Sequence, residues 1–164
     1  MPIESVLFSE YGLLYRRVCG IISIEEIEAD NVSLFANPDY IPGTNVIIDE
    51  NRVMDFDFGF KEMFDFVERA NARLCARERP VHICFVGDRI MGRSVAKMFK
   101  AFSEAGDSVM TVHTEMDIEE ALTFLDVPLF VLQQTACCNI PMSVKCAPDV
   151  PCHLPRCAGL KQVS

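Results

Sequence analysis

Two apolar stretches open the chain, residues 5–9 and 13–22, separated by Glu10, Tyr11 and Gly12. Strand-like runs around so short a break predict a hairpin. Ser23 followed three residues later by Glu26 has the form of a capping box, and a helix is predicted from there to about Ala36. Asn37-Pro38 stops it and Pro42-Gly43 makes a turn. Asn45–Asp49 reads as a short buried strand. The next helix is the plainest: Phe60, Met63, Phe64, Val67 and Leu74 recur on one face up to about Arg77. Pro80 ends it, and Val81–Val86 is another buried strand. Met91, Val95, Met98, Phe99 and Phe102 stripe a third helix, and Gly106-Asp107 turns the chain into a strand at Ser108–His113. Asp117 caps a fourth helix, with Ile118, Ala121, Leu122 and Leu125 inward.

The predicted order is therefore β-β-α-β-α-β-α-β-α, an α/β fold with a mixed sheet covered by helices. The body is expected to span 1–127. Residues 128–134 could add a strand or pack on the body. The remaining extension, to residue 164, is broken by Pro141, Pro148, Pro151 and Pro155 and is rich in cysteine.

Composition narrows the function classes. At 164 residues, 50% hydrophobic and 24% charged, the chain can form a core, and no apolar run approaches the ~20 residues that span a bilayer. Met1-Pro2-Ile3-Glu4 lacks the basic start and apolar stretch of a signal peptide, so a cytoplasmic location is expected. A net charge of −9 argues against nucleic acid as a partner. The charge is segregated: residues 23–65 hold eleven acids and two bases, whereas 66–104 hold eight bases and four acids. Of the eight cysteines, Cys19, Cys75 and Cys84 lie in apolar periodic segments and are expected in the core.

The order and spacing of several segments resemble the STAS superfamily, specifically the SpoIIAA-like group of small bacterial proteins related to anti-sigma factor antagonists. The segments are Gly12-Leu-Leu-Tyr-Arg-Arg-Val-Cys-Gly20, Pro42-Gly43 through Asp49, Val81–Val86 followed by Ala96–Phe99, and Asp117–Leu122. The resemblance covers residues 5–127 and implies a non-catalytic regulatory domain that works by binding other proteins. In anti-sigma factor antagonists a serine in an Asp-Ser-Ser/Thr-Gly motif, at the start of the helix after the third strand, is phosphorylated. The corresponding stretch here, Met54–Gly59, keeps aspartate and glycine but offers no hydroxyl to a kinase. Asp55 and Asp57 could stand in for a permanent phosphate charge, or act only as helix caps and dipole partners.

Other clusters carry possible chemistry. Gly87–Ser94 has the spacing of a phosphate-binding loop, but arginine replaces its lysine and the acidic strand Asn45–Glu50 precedes the loop instead of following it. A nucleoside triphosphatase is therefore not expected. Arg89, Gly92, Arg93 and Ser94 could still hold a small anion at a helix start. Asp49, Glu50, Asp88, His113 and Thr114 fall at strand ends, where a carboxylate and a histidine could exchange a proton, although no nucleophile is marked; His82 lies inside a strand and reads as structural. Arg69, Arg73 and Arg77, with Arg89, Arg93, Lys97 and Lys100 on the next helix, form a basic face that could dock an acidic partner or anionic headgroups, or serve only as a solvated outer face.

In the extension, Cys137-Cys138, Cys146, Cys152, His153 and Cys157 offer zinc-type ligands, but from Cys138 onward seven, five and four residues intervene between successive cysteines, not the paired C-x-x-C of a finger. Disulfides or redox-sensing thiols are the other readings of these cysteines. The leading expectation is a regulatory domain that binds a protein partner through Asp55, Asp57, Arg69, Arg73 and Arg77. The alternatives are a small-ligand binder at 87–94 and a metal or redox module in the extension, with homodimerisation through 128–134 also open. No catalytic residue and no cofactor other than that zinc is expected.

Overall fold

The computed structural model describes residues 3–75, 80–105 and 108–132, apart from the side chains of 74, 75 and 115. One compact unit comprises Met1–Val131; of the second, Leu132–Ser164, only the first residue is described. The zinc-type ligands Cys146, Cys152, His153 and Cys157 thus lie outside the described residues, as does Arg77.

Five strands form one sheet in simple sequential order: β1 (Ile3–Phe8), β2 (Leu13–Ile22), β3 (Asn45–Phe56), β4 (Val81–Val86) and β5 (Met110–Met116). β1 and β2 are antiparallel; β2 through β5 are parallel. The hairpin turn is a short 3-10 segment, Ser9–Tyr11, closed by Gly12 at φ 56°, a left-handed conformation that suits a residue without Cβ. Helices α1 (Ile24–Phe35), α2 (Phe60–Cys75) and α3 (Ile90–Glu104) make the three crossovers, and α4 (Ile118–Phe124) follows β5. The element order is the predicted one.

Right-handed crossovers between successive neighbours place α1, α2 and α3 on one face of the sheet. The main core lies there: Ile24, Met63, Phe66, Val67, Val95 and Phe99 pack on Val81, Ile83 and Phe85 of β4 and on Met110 and Val112 of β5. The alternate residues of β4 and β5 turn to the opposite face, where Phe124 of α4 meets the rings of His82 and His113 at 5.4 and 4.2 Å.

Local signals hold where they were plain. Ser23 Oγ accepts from the Glu26 amide and Glu26 reaches back to the Ser23 amide; Asp117 and Glu120 form the same reciprocal pair at α4. Three expectations change. β3 does not stop at Asp49 but continues to Phe56, because β2 follows it through register shifts at Arg17/Cys19 and Gly20/Ile21. Residues 130–132 form a helical turn rather than a strand, with the Val131 amide bonded to Pro128 O at 3.0 Å and Phe130 edge-on to Tyr11. Finally, Cys84 is buried as expected but Cys19 only half so, since it sits at a register shift of β2.

Candidate functional site

The carboxyl ends of the parallel strands form a contiguous edge. Ile21 of β2 sits opposite Asp55 of β3, and the Asp57 amide donates to Ile22 O at 2.8 Å. Arg89, at the start of α3, donates from Nη1 to Val53 O at 3.2 Å, which ties that loop to the end of β3. Large apolar side chains stand in solvent along this edge: Ile90 is 85% exposed, Met54 69%, Phe60 66% and Ile21 60%. Leaving such side chains in water forgoes about 1.5–3 kcal/mol each relative to full burial. They stand at the ends of β2 and β3 and the starts of α2 and α3, and Phe60 also packs edge-on against Phe102 at 4.6 Å.

Asp55 and Asp57 share this edge and are exposed. Asp55 Oδ1 accepts from the neighbouring Phe56 amide at 2.8 Å. At the start of α2 the Gly59 amide is bonded by Glu62 Oε2 at 2.6 Å, so a carboxylate from inside the helix performs the capping expected of the aspartates.

The four residues of the proposed anion site are split. Gly92 is buried, whereas Arg89, Arg93 and Ser94 are exposed. Ser94 Oγ donates to Ile90 O at 2.9 Å, and Arg89 is engaged with Val53 O. Under the first turn of α3 lies the chain's own carboxyl: a Cβ built on Gly92 would fall 2.6 Å from Glu50 Oε2.

The basic face is also divided. Arg69 holds Glu28 of α1 through Nη2 at 2.8 Å and Nε at 3.0 Å, an interhelical tie. Arg73 is exposed.

Sequence reasoning placed Glu50 at a strand end as a candidate for proton exchange. It is 4% exposed, and burial, followed by the nearby Asp49 charge, pushes its carboxyl from an ordinary 4.5 up to about 8. It is therefore mostly neutral at pH 7. A second buried network on the other sheet face had no signal beyond alternation. Tyr15 Oη donates to Asp49 Oδ2 at 2.6 Å, Arg17 Nε lies 3.8 Å from the same oxygen, and Asn51 bonds Asp49 Oδ1. Burial and then Asp49 raise the Tyr15 hydroxyl far above its ordinary range. Arg17 is 3% exposed, with Nη1 3.6 Å from Glu4 and not hydrogen-bonded.

His113 meets His82, Nε2 to Nδ1 at 3.3 Å, and the ring of Phe124; the two histidines pair with each other instead of with a carboxylate. Burial, followed by the charges of His82 and Lys100, lowers the His113 pKa below its ordinary value. Among the described residues no three histidines, cysteines or acids gather to hold a metal, and no helix is long and apolar enough to cross a membrane.

No protein-family model and no curated protein sequence matches the chain. Among solved structures it is similar to the anti-sigma factor antagonist SpoIIAA in its unphosphorylated form, at 16% identity over 76% of this chain and 97% of that one, with a TM-score of 0.45.

Proposed function

We propose that this chain is a non-catalytic regulatory domain that binds a protein partner at the carboxyl edge of its sheet. The observation that carries the reading is the exposed apolar group Ile21, Met54, Phe60 and Ile90 beside the acidic pair Asp55 and Asp57. An apolar centre with a charged rim suits a protein interface: the centre supplies affinity, and the rim supplies orientation and association rate. The sequence resemblance points to the same place, since Met54–Gly59 stands where anti-sigma factor antagonists carry their regulatory serine. With two fixed carboxylates in that stretch, binding here is constitutive and is not set by a kinase acting at this position. Arg69 contributes to the fold rather than to the interface, because its guanidinium is engaged with Glu28. The reading places the protein in the cytoplasm.

The test is affinity purification of the tagged chain from its native cells at native abundance, alongside a Met54→Glu/Ile90→Glu variant. Both positions are exposed, so the variant keeps its fold, which circular dichroism checks. A stoichiometric protein captured by the wild type and lost from the variant supports the edge as the interface. Equal capture by both, or none by the wild type under mild extraction, overturns it.

A further inference from the structure

The middle of the sheet is incompletely covered on its helical face. β3 is the central strand, and its Val46 and Ile48 turn toward the helices, yet both stay only half-buried. Such positions are ordinarily well covered in an α/β sheet. Over them, between the sheet and helices α1 and α2, lies an apolar pocket of about 140 Å³ that is partly open to solvent. Ile27 of α1 and Phe66 and Ala70 of α2 are among its walls, and its charged-type residues are Arg16, Glu50 and Arg73. Arg16 is compensated: its guanidinium pairs with Asp30 at 2.6 Å and donates to Asn31 Oδ1 at 3.0 Å. Glu50 lies toward the carboxyl ends of the strands, against Gly92 in the first turn of α3. Arg73 marks the opposite end. α2 connects two parallel strands and so runs against them, which brings its last turn to their amino ends, where Tyr40 and Thr44 also line the pocket. α1 and α2 therefore share one direction. Arg69 is held by Glu28 of α1, but one turn further the same step leads from Arg69 to Arg73 and from Glu28 to Val32, which offers no charge. Arg73 is exposed and makes neither a hydrogen bond nor an ion pair among the described residues.

We propose that the pocket binds a single-chain amphiphile with an anionic head, its alkyl chain over Val46 and Ile48 and its head at the amino-end mouth beside Arg73. The apolar body follows from the walls and from the half-covered central strand. Its length follows from the volume: an apolar cavity of ~150 Å³ accommodates benzene, so about six to eight carbons fit. The sign of the head follows from Arg73, the one cation of the lining without a partner among the described residues. Glu50 does not oppose an anion there, because it stands toward the other end of the pocket and holds its proton at pH 7. The remaining polar groups of the mouth are neutral, and Thr44 Oγ1 is already spent on Ile41 O at 2.6 Å. The site does not rest on the carboxyl-edge interface, which uses the opposite ends of the strands.

Methyl-resolved NMR titration of the full chain tests this with octanoate and octan-1-ol as probes, at concentrations that form no micelles. Octanoate is expected to shift the Val46, Ile48 and Ile27 methyl signals saturably. Ala70→Phe, which fills the pocket, should abolish the shifts; Ala70→Leu serves the same purpose if the larger side chain prevents folding. Arg73→Gln changes an exposed position and leaves the fold intact. It should weaken octanoate about fivefold, the upper range for an exposed ion pair, and leave octan-1-ol within about 1.5-fold. The proposal is overturned if no pocket methyl shifts saturably, if the Ile21 and Ile90 methyls respond in their place, if shifts persist in the filled variants, or if both probes respond alike to Arg73→Gln.

Discussion

Replacing Glu50 by glutamine should remove a pH liability from the core. Below pH 4.5 the glutamate is protonated in both folded and unfolded chains, and it contributes no pH dependence. Above that value the unfolded chain ionises freely, while the folded chain holds the proton until about pH 8. Stability therefore falls as pH rises through this window, by about 1.4 kcal/mol per pH unit, and levels off above it. The full span corresponds to about 5 kcal/mol. The start of α3 opposes this, since a helix N-terminus favours a carboxylate by roughly 1 kcal/mol, too little to reverse the sign. A net loss of about 4 kcal/mol is a large share of the 5–15 kcal/mol typical of a domain. Urea unfolding of wild type and Glu50→Gln, at fixed pH values from 4 to 9, reads the effect directly. The two should agree within about 1 kcal/mol at pH 4, and the variant should be more stable by several kcal/mol at pH 9. Parallel stability curves across this range would refute the burial argument, because a solvated Glu50 gives no difference in slope.

Three other perturbations follow from contacts already described. Tyr15→Phe deletes the 2.6 Å bond to Asp49 and should cost about 1–3 kcal/mol in urea unfolding, with no change in m-value. Asp30→Ala leaves Arg16 buried without its counter-charge and should cost about 3–5 kcal/mol, whereas Arg16→Met/Asp30→Leu should recover most of the loss; a double-mutant cycle measures the coupling. Ser23→Ala removes one arm of the capping box on α1 and should lower stability by about 1 kcal/mol, seen as a fall in Tm.

The strands and helices were legible because their signals are local. Apolar spacing marked α2 and α3, and Ser23 and Asp117 marked two helix starts. The length of β3 was not legible: Asp49, Glu50, Asn51 and Arg52 read as the end of a strand, since hydropathy treats charge as solvent-facing. What carries the strand onward is its pairing with β2 through two register shifts, a nonlocal fact. The same limit hid the Tyr15–Arg17–Asp49 network. Alternation puts Tyr15 and Arg17 on one face of β2, but only the register brings Asp49 across from Arg17. Of the candidate partner-binding residues, Asp55 and Asp57 were expected at the start of the helix after the third strand, whereas Asp55 falls within β3 and both are exposed; their apolar neighbours Met54 and Ile90 were passed over because a scattered hydrophobe carries no motif. Arg69 looked available because its acidic partner comes from another helix.

The sequential strand order has a consequence for how the molecule comes into being. Every strand pairs with the one just before it in the chain, and every crossover closes locally, from Ile22 to Asn45, from Phe56 to Val81 and from Val86 to Met110. No strand must wait for a distant segment to be inserted between existing neighbours. The hairpin closes over the shortest separation and each parallel pairing over a longer one, so the hairpin is the part expected to pair first. A nascent chain leaving the ribosome can therefore add one strand-and-helix layer at a time, starting from the hairpin, so that the growing edge of the sheet advances in step with translation.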